Sequence, residues 1–416
     1  MRRVAAAVAL LVGITAVAAC GPDDPEPAPA SAAPVPPSSP PDGSPSGTAP
    51  GKSAPPRPDG TITVAFAGDV HFEGRTEARL AVQPPEPVLG PISRTLADAD
   101  LSVLNLETAI TGRGAPEPKT YTFRTSPKAL SVLKDSGVDV VSMANNHAVD
   151  FGADGLTDTL AAKDSSPIPV VGFGRNAKEA YAPYVTTVRG VKVAVVAASQ
   201  VEDLTNQKWR AGANKPGIAS ALDVPALVKA VETAKQQAPV VLVYLHWGDE
   251  GKACPTGPQT TIAKKLAGAG ATAVVGTHAH TMVGSGMLGN TYIGYGFGNF
   301  LWYGTSNYPN SNETGVTTLT LTADGKVTGE AFTPATIDDK GIPEPVGGAT
   351  AEAALKRRDG LRGCTGLSPA PAGPGAAPTT PTAPATAPTA PATPPTAPAK
   401  APSGPAKAAT TPAVPR

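Results

Sequence analysis

The residues of this chain that are best suited to chemistry are its histidines, of which the 416-residue sequence has only five. Each follows an apolar run that is typical of a β-strand, and each lies beside other potential metal ligands. The five are His71, His147, His246, His278 and His280. Residues that follow the strands of an α/β sheet meet at one edge of that sheet. The pattern therefore predicts one shared site.

The neighbours of these histidines include the oxygen donors that a metal site uses. They are Asp69, Glu107, Asn145 and Asn146. Asp-x-His and His-x-His pairs place two donors on one side of an extended segment, because side chains alternate. Two metals held by imidazoles and a shared carboxylate can clamp an oxyanion and activate water. Each residue alone has an ordinary alternative as a cap, turn or core residue, so the prediction rests on the ordered set.

Between these residues, apolar runs alternate with amphipathic stretches, which is typical of an α/β protein with layered sheets. Several of the runs suit strands that are buried on both faces. The predicted strands are 61–67, 101–104, 138–142, 168–171, 191–198, 240–245, 272–275, 292–295 and 316–321, of which the last two are expected to be antiparallel. The predicted helices are 127–135, 224–237 and 259–266.

Proline is distributed very unevenly. Residues 21–59 contain 14 prolines and residues 367–416 contain 15, so the two flanks hold 29 of the 48. Both flanks lack the apolar periodicity that a packed core needs, and we expect them to be disordered spacers. The composition thus predicts a linker over 21–59, one folded domain over 60–365 and a Pro/Ala/Thr-rich tail over 366–416.

The first twenty residues resemble a bacterial lipoprotein signal. Arg2 and Arg3 precede an apolar stretch, Val4–Val17, that is too short to span a bilayer comfortably. The following Ala18-Ala19-Cys20 resembles a lipobox. This resemblance implies cleavage before Cys20, a lipid on its thiol and an extracytoplasmic protein anchored in the cell membrane. The alternative is an ordinary secretory signal in which the cysteine occurs by chance.

The chain contains three cysteines. If Cys20 carries a lipid, Cys254 and Cys364 remain as an even pair in an oxidising compartment. We therefore predict a disulfide between them. The alternative is two free thiols.

The motifs occur in an order that resembles the CapA, or poly-γ-glutamate capsule biosynthesis, family. The resemblance covers roughly residues 61–303. Its segments are Gly68-Asp69, Asn105-Leu106-Glu107, Ala144-Asn145-Asn146-His147 with Asp150 and Gly152, His246-Trp247-Gly248 with Glu250, Gly276-Thr277-His278-Ala279-His280, and Gly298-Asn299-Phe300. The same order is similar to that of the calcineurin-like metallophosphoesterases. It implies a layered α/β/β/α sandwich like that of the metallo-dependent phosphatases.

The resemblance further implies two divalent transition-metal ions, of manganese, iron or zinc. The implied ligands of the first ion are Asp69, His71 and His280. Those of the second are Asn146, His246 and His278. Glu107 takes the place of the bridging aspartate, although it is one methylene longer.

The remaining implied roles concern proton transfer and support. His147 is the acid that protonates the leaving group, Asp150 orients it, and Asn105 holds Glu107. Asn145, Glu250 and Asn299 are supporting or substrate-binding candidates. For Glu250 the choice is between an acid of the site and a solvated loop charge, and for Asn299 between a substrate contact and a turn cap.

Three aromatic residues occur near the same motifs. They are Trp247, Trp302 and Tyr303. One interpretation is a platform for a polymer substrate, and the other is packing in the wall of the cleft.

The sequence predicts a CapA-like protein of the cell envelope that works in capsule or poly-γ-glutamate synthesis or processing. A metal-dependent hydrolase or transferase, acting on an extracellular polymer or phosphoester, is one hypothesis. A non-catalytic polymer-binding or scaffold subunit, partnered by membrane subunits of a capsule synthesis or export complex, is the second. A third hypothesis is that the Pro/Ala/Thr-rich tail carries the function. Nucleic acid is not expected as a partner, because the formal net charge is zero and no basic stripe occurs.

Overall fold

The computed structural model describes residues 60–83, 86–302 and 308–373. The predicted signal with Cys20, the linker and most of the tail lie outside these described residues. The strands are β1 (Thr61–Val70), β2 (Leu101–Leu106), β3 (Ala109–Ile110), β4 (Arg124–Thr125), β5 (Val140–Ser142), β6 (Val170–Val171), β7 (Phe173–Gly174), β8 (Tyr184–Val188), β9 (Val191–Ser199), β10 (Gly217–Ile218), β11 (Val240–Trp247), β12 (Ala273–His278), β13 (Met282–Leu288), β14 (Thr291–Phe297), β15 (Asn299–Leu301), β16 (Glu313–Thr322), β17 (Val327–Ile337) and β18 (Pro343–Pro345).

The helices lie mainly between the parallel strands. The α-helices are α1 (Ser93–Asp98), α2 (Lys128–Asp135), α3 (Gly152–Asp164), α4 (Ala177–Ala180), α5 (Leu204–Trp209), α6 (Val224–Gln237), α7 (Gly257–Gly268) and α8 (Gly348–Leu361). Short 3₁₀ helices cover Gly74–Ala81, Gly90–Ile92 and Arg362–Cys364.

Two mixed sheets form the centre of the fold. The larger has the order β18-β17-β16-β1-β2-β5-β6, with β15 paired to the end of β1, and the smaller has the order β13-β14-β12-β11-β9-β8. In the larger sheet β1, β2, β5 and β6 are parallel. In the smaller sheet β9, β11, β12 and β14 are parallel. The expectation that the strand at 292–295 is antiparallel holds only for its pairing with β13, since β14 is parallel to β12. Their apolar runs are buried on both faces, as parallel strands require.

Alternation of side chains along β1 defines the layers. Val64 and Phe66 face the smaller sheet, in a core that also contains residues of β9, β11 and β12. Ala65 and Ala67 face the opposite way, toward a core that includes residues of α1, α2 and α3. The smaller sheet is covered on its outer face by α6 and α7. The layer order is α/β/β/α, which confirms the predicted fold class.

All the strands and helices expected from the sequence are present, with ends that differ by no more than three residues. The helix expected over 224–237 begins and ends as predicted. The sequence pattern does not reveal α3, β8, β13, β17 or α8. Gly329 and Pro334 interrupt the apolar alternation of β17, and α8 carries alanines and charges with no apolar stripe.

The folded part extends beyond Thr365, where composition placed its end. Ser368 exchanges two backbone hydrogen bonds with Met287 in β13, at 2.7 and 3.0 Å. Glu330 in β17 donates from its backbone to Pro371 and accepts from Gly373, at 2.8 and 2.9 Å. These residues therefore connect outer strands of the two sheets. A proline-rich composition does not predict such main-chain pairing, so the boundary at 365 was drawn too early.

A disulfide bond joins Cys254 and Cys364, the pair expected from the cysteine count. It ties the loop between β11 and α7 to the 3₁₀ turn that follows α8. No helix among the described residues is long and apolar enough to cross a membrane.

We predict that replacing both cysteines, Cys254→Ser with Cys364→Ser, lowers the free energy of unfolding by about 2–5 kcal/mol. The bond closes a long loop, since its two ends are 110 residues apart, and its loss enlarges the unfolded ensemble. Urea unfolding of both proteins measures the difference. Dithiothreitol should lower the midpoint of the wild type only. Equal midpoints without reductant would contradict the prediction.

Candidate metal centre

The predicted ligands meet where strands of both sheets end. Asp69 lies near the end of β1, and His246 and His278 lie at the ends of β11 and β12. Strand pairing brings Asp69 opposite Asn105. Since the carboxyl ends of parallel strands share one edge of a sheet, these side chains converge between the two sheets. All four are buried.

Acidic and histidine side chains form two groups of three. Within each group every residue offers one ligand atom, and these three atoms lie within 4.8 Å of one another. The groups are Glu107, His278 and His280, and Asp69, Glu107 and His246. Glu107 belongs to both groups, which is the bridging place implied by the sequence resemblance. Nε2 of His246 lies 3.4 Å from Oε1 of Glu107 and 2.8 Å from Oδ1 of Asn146. Asn146 therefore adds its oxygen to the second group.

This grouping differs from the one implied by the resemblance, which placed His280 with Asp69 and His71. Nδ1 of His280 remains 3.7 Å from Oδ2 of Asp69. His71 accepts a hydrogen bond at Nδ1 from the backbone of Glu73, at 3.0 Å. A neutral imidazole that accepts at Nδ1 carries its proton on Nε2. In this orientation His71 lies beside the two groups and not within them.

The polar atoms of the cluster lack the partners that burial requires. Among the described residues, neither carboxylate oxygen of Glu107 nor Nδ1 of His278 has a hydrogen-bond partner. Glu107 is completely buried, and an unpaired charge in such a position is strongly unfavourable. Carboxylate oxygens and imidazole nitrogens are both good ligands for divalent transition metals. The residues present therefore fit a metal.

Burial also shifts the protonation of the cluster. Burial raises the pKa of Asp69 to about 6, with Glu107 adding to the shift. It raises the pKa of Glu107 well above its usual range. Burial lowers the pKa of His246 to about 4 and lowers the pKa of His278 well below its usual range. The His246 and His278 rings are thus neutral at pH 7, as metal ligands must be, and Glu107 needs a cation to be ionised there.

Asn105 and Asn145 hold the edge of the larger sheet in place. Asn105 donates to Oδ1 of Asp69 at 2.8 Å and accepts from Nδ2 of Asn145 at 3.0 Å. The expectation that Asn105 holds Glu107 was wrong. Asn105 lies opposite Asp69 across β1 and β2, so these two side chains project from the same side of the sheet. Asn145 accepts from the backbone of His147 at 3.0 Å.

Two further residues orient the imidazoles of the smaller sheet. Nδ1 of His280 lies 2.9 Å from Oδ1 of Asn299. Because an amide oxygen can only accept, Nδ1 carries the proton and Nε2 keeps the lone pair that a metal needs. Asn299 also donates to the backbone of Ser311 at 3.1 Å. The Thr277 hydroxyl lies 3.1 Å from Nδ1 of His246. Asn299 is thus a supporting residue, and the role of Thr277 was missed because a single threonine carries no motif.

His147 forms a second, adjacent unit with Asp150. Nδ1 of His147 lies 2.5 Å from Oδ2 of Asp150, while Nε2 lies 3.9 Å from Oε1 of Glu107. Asp150 therefore lies where it can orient His147, as the resemblance implies. Burial raises the pKa of Asp150 to about 6, although Lys119 opposes the shift.

Lys119 is a site residue that the sequence analysis missed. Its Nζ donates to Oδ1 of Asp150 at 2.7 Å and to the backbone oxygen of Asn146. Lys119 thereby connects the His147–Asp150 pair to a metal-ligand candidate. A lone lysine in an irregular segment gives no signal of such a role in the sequence.

The aromatic residues that the sequence analysis singled out lie in different parts of the structure. Trp302 contacts the rings of His71 and His280, at centroid distances of 4.3 and 4.6 Å. Trp247 instead lies in the core between the smaller sheet and its helices. It follows His246 on β11 and so faces the opposite side, and a place for Trp247 in the cleft is excluded. Tyr303 lies outside the described residues.

Glu250 lies on an exposed loop after β11 and accepts a hydrogen bond from the Tyr308 hydroxyl. It belongs to neither group of converging ligands. Burial is the main cause of the raised pKa of Glu107, and the charge of Glu250 adds to it. Of the two interpretations, the structure favours a loop charge near the site.

The fold and the cluster define a layered α/β/β/α protein with a candidate metal centre between its sheets. Residues 63–303, more than half of the chain, match the family model described as "Bacterial capsule synthesis protein PGA_cap". The chain therefore belongs to this bacterial capsule synthesis family, which includes CapA, as the motifs indicated.

Named relatives support this assignment. The chain is 27% identical to the PGA biosynthesis protein CapA of Bacillus subtilis over 247 residues, 59% of this chain and 64% of the relative. It is 31% identical to the capsule biosynthesis protein CapA of Bacillus anthracis over 183 residues, 42% and 43% of the two chains. It thus spans less than two thirds of the length of these relatives.

Solved structures with a similar arrangement were also found. One is a 5′-nucleotidase precursor from Thermus thermophilus, with 14% identity and a TM-score of 0.42, covering 72% of this chain and 58% of that one. Another is a phosphatase from Mycoplasma pneumoniae, with 15% identity and a TM-score of 0.42, covering 67% and 95%. Likeness at this level does not define an activity.

We predict that Glu107→Gln stabilises the metal-free protein at pH 7 by about 1–3 kcal/mol, because glutamine is neutral without taking up a proton, whereas burial raises the pKa of Glu107 well above its usual range and its ionisation opposes folding. The same change should abolish any rise in melting temperature on adding manganese or zinc. Calorimetry of metal-free and metal-loaded samples measures both effects. As a control, Glu232→Gln on the exposed face of α6 should change neither. A destabilised metal-free variant that keeps its response to metal would contradict the prediction.

Proposed function

We propose that this chain is a metal-dependent hydrolase or transferase that acts on a polymer or phosphoester in capsule or poly-γ-glutamate synthesis or processing. The observation that carries the proposal is the completely buried Glu107 carboxylate, shared by two groups of ligands and without a hydrogen-bond partner among the described residues. Membership of the capsule synthesis family supports the biological setting.

The proposed ligands are those whose donor atoms converge on Glu107. They are Asp69, Glu107, Asn146, His246, His278 and His280. Two divalent ions are proposed because the two groups share one carboxylate and otherwise use different residues. Bound ions would polarise an electrophile and lower the pKa of water.

Residues of this chain position the proton that is delivered to the leaving group. Asp150 contacts Nδ1 of His147, so the proton that His147 can deliver is the one on Nε2, which faces Glu107. Burial lowers the pKa of His147 well below its usual range, so the resting ring is neutral, with its proton on Nδ1 toward Asp150 and a lone pair on Nε2. Nε2 therefore takes up a proton from the attacking group before it delivers that proton to the leaving group. Asp150 stabilises the imidazolium while it exists and holds the ring toward the leaving group. Lys119 fixes the other oxygen of Asp150.

We also propose that the chain works outside the cytoplasm, anchored by a lipid on Cys20, with an extracellular polymer as substrate and capsule-synthesis membrane subunits as partners. The lipobox-like segment before Cys20 supports the anchor. The disulfide between Cys254 and Cys364 supports an oxidising compartment. Non-reducing mass spectrometry and globomycin sensitivity of the processed form test these two points.

We predict that Asp69→Ala and His278→Ala each reduce turnover at least about a hundredfold, because each removes a metal ligand. Protein loaded with manganese, iron or zinc is incubated with poly-γ-glutamate and, separately, with a chromogenic phosphoester, and product is measured. Circular dichroism checks that both variants remain folded. Glu232→Ala on α6 serves as a carboxylate control and should be fully active.

Full activity of both ligand variants would refute the metal-dependent mechanism. Complete absence of turnover by metal-loaded wild type on both substrate classes would favour the alternative of a polymer-binding or scaffold subunit. Turnover of only one substrate class would identify the bond that is broken or transferred.

A further inference from the structure

A cavity of about 410 Å³, separate from the metal centre, lies between α8, β13, β16, β17 and the loop that follows β11. We call it the α8 cavity. None of the residues assigned to the metal centre lines it, although Thr281, which directly follows His280, does. The other lining residues that matter here are Met282, Thr314, Phe332, Ala354, Arg358 and Leu361.

Two buried polar side chains of the α8 cavity have hydrogen bonds left to donate. The hydroxyl of Thr314 is buried without a hydrogen-bond partner among the described residues, and the whole residue is only 1% exposed. Arg358 is 8% exposed. In the described part of the chain it donates through Nη2, to Ser285, Tyr292, Thr317 and Glu330. Its Nε and Nη1 groups are left for another acceptor, so an occupant that fits must offer acceptors.

The charges of the α8 cavity are already balanced. Arg358 pairs with Glu330, and Arg357 pairs with Glu313 at 2.7 Å. An occupant with a net charge of either sign would have no partner of its own beside these pairs, which is unfavourable away from water. The balance therefore favours an uncharged occupant.

The remaining wall of the α8 cavity is apolar. Met282, Phe332 and Leu361 line it, and the Phe332 ring lies 4.5 Å from the guanidinium carbon of Arg358. An apolar wall with a few fixed donors suits a chain that is uncharged, mostly apolar and rich in carbonyl oxygens.

The protein itself contains a segment with these properties. Residues 374–399 include no charged side chain, and nine of the 26 are prolines. A proline has a carbonyl acceptor but no N–H donor, so the main chain of this segment offers more acceptors than donors. Proline-rich segments typically bind in grooves that are lined by aromatic side chains.

The last described residues lie beside one wall of the α8 cavity. Ala372 pairs with Glu330 in a parallel bridge, and Gly373 donates from its backbone to Glu330 at 2.9 Å. Because the pairing is parallel, the chain at Gly373 runs in the direction of β17, toward Phe332, which lies two residues beyond Glu330 and so about 7 Å away. Residues 374–399 would span about 80 Å if extended, which is more than enough to reach the cavity.

The proline-rich flank at the other end of the chain fits less well. Residues 21–59 contain five acidic and two basic side chains, which the balanced charges of the cavity disfavour. Thr61, where β1 begins, pairs with Thr322, which lies eight residues along β16 from Thr314 and so about 27 Å away. Charge and position therefore both favour the tail.

We propose that the α8 cavity binds the uncharged tail segment 374–399 of the same chain. Carbonyl oxygens of the segment accept from Arg358 and from the Thr314 hydroxyl, and its proline rings pack on Phe332, Met282 and Leu361. The bound tail lies beside Thr281, next to the metal-ligand cluster. The proposal does not depend on the proposed function, since binding of the tail requires neither metal nor turnover.

Photo-cross-linking in protein that carries the whole tail tests the proposal. The photoreactive residue p-benzoylphenylalanine replaces Ala253, which is exposed and lines the α8 cavity, and cross-linked peptides are mapped by mass spectrometry. Cross-links from position 253 to residues 374–399 are expected. The same probe at Ala161, which is exposed on α3 and does not line the cavity, should give none.

Variants of the cavity separate binding from chance proximity of the tail. Ala354→Leu fills the cavity and should reduce the yield of the cross-link at least about fivefold. Ala353→Leu is the matched control, since Ala353 precedes Ala354 on α8 but does not line the cavity, and it should leave the yield unchanged. Thr314→Val should reduce the yield about threefold, because one hydrogen bond to the tail is lost. Circular dichroism checks that each variant is folded.

A mixture of ¹⁵N-labelled and unlabelled protein identifies the chain that supplies the tail. Cross-linked peptides that carry the same label on both sides are expected. Three results would overturn the proposal: cross-links only between labelled and unlabelled chains, which would assign the cavity to the tail of a second copy, cross-links to residues 21–59 in place of the tail, or equal yields in the Ala354→Leu and Ala353→Leu variants. Absence of any cross-link from position 253 to the tail would also contradict it.

Discussion

The burial of two carboxylates at the junction of the two sheets is the constraint on which the rest of the site depends. Asp69 and Glu107 are fully buried, and burial raises the pKa of both. Asp69 is supported by Asn105, but Glu107 accepts no hydrogen bond among the described residues. A protein that keeps an unpaired carboxylate in its interior gives up stability for function. A bound divalent cation would resolve this conflict.

The backbone around the site is shaped by the same requirement. His278 and His280 both have positive φ, at 95° and 52°, a conformation that residues other than glycine rarely adopt. Gly68 allows β1 to approach β15 closely, since a Cβ there would lie 2.1 Å from the backbone oxygen of Gly298. The close approach brings Asp69 level with Asn299. The imidazoles and carboxylates can therefore converge from both sheets.

Sequence patterns identify an α/β protein with layered sheets and most central strands, because buried parallel strands are continuous apolar runs. The α/β/β/α order was implied by the family resemblance. The patterns also bring most of the candidate histidines, acids and asparagines to one edge, since these follow strands, although His71 lies beside the ligand groups and Glu250 lies on an exposed loop. They do not identify Lys119, whose role arises from a loop folding over Asp150 and Asn146. Nor do they predict that residues 366–373 pair with the sheets or that Trp247 faces away from the site. These features depend on tertiary contacts, which leave no local periodicity in the sequence.

The most direct test of the central claim is the metal content of the purified protein, by elemental mass spectrometry, for wild type and His278→Ala. The predicted result is about two equivalents of manganese, iron or zinc in the wild type and clearly less in the folded variant. A folded wild type that holds no metal, even after incubation with all three ions, would contradict a metal centre at Glu107.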